Sequence, residues 1–137
     1  MSPIGGDLIY IANYWVVIMK KILFDGCADA DAFPIMRKEN FYPILDKLSG
    51  AEIVRDYLNS YPFNHPARVY HLKGVTLAYD EKADYAVGRE RWVRVSLTGK
   101  KSLVDKASSS ISKAVGKQIK RLNKEITGDA PRWQTYF

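Results

Sequence analysis

The chain has 137 residues, 47% of them hydrophobic and 26% charged, with a formal net charge of +6. That is enough apolar material for one domain with its own core, and it excludes disordered, collagen-like and linker-like classes. The single cysteine, Cys27, cannot close an internal disulfide, so a cytoplasmic protein is expected rather than a stapled secreted one.

The longest apolar run, residues 8–19, is interrupted by Asn13 and ends at Lys20-Lys21. It falls short of the roughly 20 residues that cross a bilayer, so no membrane span is expected. Asp7 before the run and the lack of a small-x-small site after it argue against a signal peptide. Met19-Lys20-Lys21-Ile22 reads as a candidate internal start, which would make residues 1–18 an N-terminal extension of a single domain whose tail is residues 129–137.

Residues 8–24 are rich in β-branched and aromatic side chains on both alternating faces, as in a buried strand, and read as two consecutive strands or as one strand with a bend near Asn13 to Trp15. Residues 26–34 read as a loop. Asn40 is a candidate cap for a helix reaching Leu48, with Pro43 placed in its first turn. Ser49-Gly50-Ala51-Glu52 has a capping-box pattern and predicts a second helix that buries Ile53, Val54, Tyr57, Leu58 and Tyr61. Pro62 and Pro66 bracket a rigid loop. Residues 68–79 and 85–97 read as an antiparallel strand pair, with Val93, Val95 and Leu97 on one face, Trp92, Arg94 and Ser96 on the other, and Gly88 as a candidate bulge. Together these predict an α+β fold: a small mixed or antiparallel sheet in the order β-(β)-α-α-β-β-α, with a long C-terminal amphipathic helix packed on it.

That last helix carries the strongest pattern. Ser102-Leu103-Val104-Asp105 is a capping-box variant, apolar residues recur at three- and four-residue steps from Leu103 to Ile126, and Gly128 is a natural stop. On a helical wheel, the apolar set spans a sector of about 160°, while Lys106, Lys113, Lys117, Lys120 and Lys124 fall within about 60° on the far side. Residues 1–97 hold twelve basic and twelve acidic side chains, and residues 98–137 hold nine basic against three acidic, so the whole excess is local. A ridge of lysines without interleaved glutamates would attract a polyanion by counterion release, although a charged outer face is also what any packed helix shows to water.

Arg91, Trp92 and Arg94 interleave cations with an aromatic ring, a composition suited to phosphate and unpaired bases. Cross-strand ion pairs with Asp80, Glu81 and Asp84 are the plainer account. His65 and His71, with Arg68, Tyr70 and Lys73, supply the parts of a metal-free ribonuclease, and the expected element order is similar to that of small bacterial ribonuclease toxins in order alone. Asp25, Asp29 and Asp31 could gather a magnesium ion but read better as a solvated loop. No metal, cofactor or nucleophile motif is present.

The first expectation is therefore a non-enzymatic protein that contacts nucleic acid or a nucleoprotein complex through Lys106, Lys113, Lys117, Lys120 and Lys124, with Arg91, Trp92 and Arg94 as a second patch. The alternative is an assembly or inhibitor protein that docks its basic helix on an acidic protein surface, as expected of a small phage or mobile-element component. A ribonuclease using His65 or His71 is the third.

Overall fold

Where β-branched and aromatic residues dominate the first part of the chain, the backbone is extended. The computed structural model describes residues 4–11, 14–28, 33–60, 65–84, 90–129 and 132–133. In it β1 (Ile4–Ile11) pairs antiparallel with β2 (Tyr14–Cys27), Leu8 opposite Val17. Of the two readings of this stretch, that of two strands holds rather than that of one bent strand, and the connection, residues 12–13, lies outside the described residues. The register of β2 against the last strand shifts between Ile22 and Phe24. This bulge makes Leu23 the extra residue, so that two successive apolar side chains, Leu23 and Phe24, are both buried.

A 3-10 turn (Pro34–Met36) leads into α1 (Lys38–Asp46), which carries the chain to the far edge of the sheet. The helix starts earlier than expected. Arg37 is the cap residue, its side chain donating to the Ala28 carbonyl instead of capping the helix, and Asn40 lies inside the helix with its Nδ2 donating to the Pro34 carbonyl at 2.7 Å. Pro43 stands beyond the first turn, where its missing N–H leaves the carbonyl four residues back, Glu39, without a helical donor.

The predicted second helix is a strand. β3 (Ala51–Ser60) pairs antiparallel with β4 (His65–Leu72), and Ile53 and Val54 are 44% and 51% exposed rather than buried. Gly50, at φ +76°, turns the chain where a capping box would have continued it. The segment that follows then pairs with β4, Ile53 opposite Tyr70 and Arg55 opposite Val69 with Val54 the extra residue between them, a non-local gain that outweighs a local helix pattern.

The run expected as one strand over residues 68–79 is a hairpin. Lys73 and Gly74, at φ +47° and +84°, form a two-residue turn between β4 and β5 (Val75–Asp84). Two successive left-handed residues match the right-handed twist of the flanking strands, which is why such turns favour glycine. β6 (Glu90–Lys100) pairs antiparallel with both β5 and β2. The candidate bulge at Gly88 lies outside the described residues.

α2 (Lys101–Glu125) follows β6 directly, with Lys100 rather than Ser102 at its cap position, and Gly128 beyond its end at φ +72°. The expected long C-terminal helix on an antiparallel sheet is present, and the fold is α+β. The sheet order is β1-β2-β6-β5-β4-β3. Both helices pack on one face, and the core lies between them and the sheet: Met19 and Phe24 from β2, Leu77 and Tyr79 from β5, Val93, Val95 and Leu97 from β6 meet Phe41 and Leu45 of α1 and Val104, Ile111 and Val115 of α2. Among the described residues, no helix is long and apolar enough to cross a membrane.

Candidate nucleic-acid interface

The apolar stripe of α2 fixes the direction of its charges. Val104, Ile111, Val115 and Ile119 are buried against the sheet, and all five ridge lysines, Lys106, Lys113, Lys117, Lys120 and Lys124, are exposed. One face is anchored, so the opposite face must point to water. Among the described residues, Lys101 pairs with Asp105 at 3.1 Å in the first turn of α2, and no carboxylate lies within pairing distance of any ridge lysine. The ridge is a row of solvated, uncompensated ammonium groups about 27 Å long at 1.5 Å per residue.

Other elements add cations beside it. Lys47, just past α1, joins Lys117 and Arg121 of α2 around a groove of about 500 Å³ between the two helices. On the other flank Lys21 reaches from β2 to donate to Ser108 Oγ at 2.9 Å, near Lys113. Sequence reasoning missed these residues as site members. Arg121 sits about 60° off the lysine ridge on the wheel, towards α1, and nothing local links Lys47 to α2.

The strand patch is not one surface. Arg91 shares a face with Val93 and Val95, reaching Glu39 of α1 at 3.1 Å and Glu81 of β5 at 3.8 Å. Trp92 and Arg94 project from the opposite face, where both bond to Asp25 of β2: Trp92 Nε1 donates at 2.5 Å and Arg94 pairs at 3.2 Å. Of the acidic partners expected for these cations, Glu81 takes part and the side chain of Asp84 lies outside the described residues, while Asp25 and Glu39 are partners that were not expected. The indole remains 44% exposed, but its two neighbouring cations are already engaged with carboxylates.

His65 and His71 lie in the same strand, six positions apart, which separates their backbones by about 20 Å. His71 is exposed on the face away from the helices. Arg68 and Tyr70 turn to the helix side, where Arg68 pairs with Asp56 and Tyr70 donates to Asp46 at 2.7 Å. His71 is thus on the opposite face from Arg68 and Tyr70, and the element order that resembled ribonuclease toxins is lost with the second helix. Asp25 is engaged by Trp92 and Arg94, and Asp29 and Asp31 lie outside the described residues.

The densest polar cluster is structural in character. Burial raises the pKa of Tyr70 to about 12, against the lowering effect of its bond from Arg68. Burial also pushes Tyr42 and Tyr79 above the usual tyrosine range, with Glu81 adding to the effect at Tyr79. Tyr79 Oη lies 2.7 Å from the Met36 carbonyl and 2.9 Å from Glu81 Oε2, tying β5 to the 3-10 turn. These hydroxyls stay protonated at neutral pH; that of Tyr70 ties β4 to Asp46 at the end of α1, and that of Tyr79 ties β5 to the 3-10 turn.

Compared with protein-family models, curated proteins and solved structures, the chain matches none.

Proposed function

We propose that this protein binds nucleic acid through its phosphate backbone, along the exposed lysine face of α2. The observation that carries the reading is the row formed by Lys106, Lys113, Lys117, Lys120 and Lys124: it stands opposite the buried stripe and has no carboxylate partner among the described residues. Charges that are already paired release few counterions on binding, whereas unpaired ones release nearly one each. Contacts of this kind position a strand without reading its sequence. A nucleic-acid partner goes with a cytoplasmic location, as does the lone thiol of Cys27.

Fluorescence anisotropy with labelled random-sequence DNA and RNA tests this. Five phosphate contacts give a slope of about −4 to −5 for log K against log salt on duplex DNA. The double variant Lys113→Glu/Lys120→Glu should lower affinity by at least about tenfold without changing the melting temperature by more than a degree or two. Absence of binding at low salt would remove the proposal; a complex with an acidic protein that survives nuclease treatment would replace it with protein docking.

A further inference from the structure

The groove between α1 and α2 differs in kind from the ridge beside it. Lys47, Lys117 and Arg121 rim it, yet its floor is apolar, made by Pro43, Ile44 and Ala114. Two amides, Asn40 and Gln118, complete the lining. Asn40 Nδ2 is committed to the Pro34 carbonyl, which leaves its Oδ1 as an acceptor held by a fixed side chain. Gln118 makes no side-chain hydrogen bond among the described residues, so it offers both a donor and an acceptor. Arg121 adds a planar guanidinium, exposed and with no carboxylate within pairing distance among the described residues.

A groove made only to hold phosphate needs cations and no floor. This one has a volume of about 500 Å³, inside the roughly 300–1,000 Å³ range of small-ligand sites, and offers an apolar surface, two amides and a flat cation next to a phosphate track. Those are the groups an unpaired nucleotide uses: its base face packs on an apolar or guanidinium plane, its edge bonds to amides and its phosphate meets lysine. In a duplex the base faces are covered by their neighbours in the stack, so only base edges and phosphates reach the protein and no base face is left to pack on the groove. Resting on the backbone-binding reading above, we infer that the α1–α2 groove seats an unpaired base and gives the protein a preference for single-stranded over double-stranded nucleic acid.

The test compares the full chain binding a mixed-sequence single strand of about 20 nucleotides with its binding to the matching duplex, at equal salt. The single strand should bind about tenfold more tightly. Arg121→Lys combined with Gln118→Ala keeps every charge but removes the flat group and one amide, and the affinity ratio should fall towards one. Pro43→Ala, which removes the ring and improves helix propensity, should lower the ratio without loss of fold. Thermal melting of each variant confirms that the fold is retained. Equal affinity for both nucleic acids, or a ratio that the double variant leaves intact, overturns the groove while the ridge stands. No binding of either at low salt overturns both.

Discussion

The guanidinium carbon of Arg68 lies 3.9 Å from the centroid of the Tyr42 ring. The same group donates to Tyr70 Oη at 3.0 Å and pairs with Asp56 at 3.0 Å, so one β4 side chain stacks on α1 and bonds across to β3. Replacing Arg68 with alanine should destabilise the fold by about 2–3 kcal/mol in urea titration, because the stack, the bond and the partly desolvated ion pair are lost together. Arg68→Lys keeps the charge but not the planar fork, and should recover less than half of that loss. Equal stability of Arg68→Lys and the parent protein would mean that charge alone matters here.

Two buried tyrosines should respond oppositely to loss of the hydroxyl. Tyr42 Oη has no hydrogen-bond partner among the described residues, so Tyr42→Phe should be neutral or stabilising by up to about 1 kcal/mol. Tyr79 Oη faces both the Met36 carbonyl and Glu81 with its single proton, and Tyr79→Phe should cost about 1–3 kcal/mol by removing that shared donor from a buried site. Chemical denaturation of the pair distinguishes the two.

Alkaline pH should weaken the fold through the same cluster. Tyr70 is raised from 10.0 to about 12 in the folded chain, and a raised acid binds its proton more tightly when folded. Its contribution is therefore fully present below about pH 10 and is lost as pH rises through 12. Tyr42 and Tyr79 are shifted in the same direction, which steepens the fall. Denaturation midpoints measured across that window should decline in the parent protein and decline less in Tyr70→Phe.

Lys73 occupies a left-handed conformation that asparagine adopts more readily. Lys73→Asn should raise stability by about 0.5 kcal/mol. Gly74→Val should lower it by more than about 1 kcal/mol, since a Cβ there meets the left-handed backbone and Leu103 Cδ1 at 3.0 Å. Differential scanning calorimetry resolves both signs.

At the other end of α2, Asn123 grips the returning tail through a reciprocal pair: Trp133 N–H donates to its Oδ1 at 2.7 Å and its Nδ2 donates to the Trp133 carbonyl at 3.1 Å. Arg132 Nη1 meanwhile donates to the Asn123 and Ile126 carbonyls, as a cation does at the end of a helix dipole. Asn123→Ala should free the indole and shift tryptophan emission to longer wavelength, with a loss of about 1 kcal/mol.

What the sequence reveals of this molecule follows the range of the forces involved. α2 is legible because its apolar stripe repeats over 25 residues, and a periodicity of that length is hard to satisfy in any other way. The alternation of Val93, Val95 and Leu97 is legible for the same reason, and all three are buried. That parity also puts Arg91 on their side, apart from Trp92 and Arg94, a separation that composition alone conceals. β3 is illegible because its hydrogen bonds come from β4, and the hairpin at Lys73-Gly74 because a lysine rarely announces a left-handed residue. Half of the candidate interface is readable, since the ridge lies on one helix. The groove is not, because Lys47 meets Arg121 only after α1 and α2 pack on a common face.

The pairing of β2 with β6 joins residues about 80 positions apart, such as Ile18 with Lys100, whereas β3, β4, β5 and β6 follow one another as neighbours. During synthesis the first hairpin therefore leaves the ribosome early, yet its second neighbour arrives almost last. Until β6 emerges, β2 presents an open hydrogen-bonding edge, and the nascent chain is most prone to aggregate in that interval.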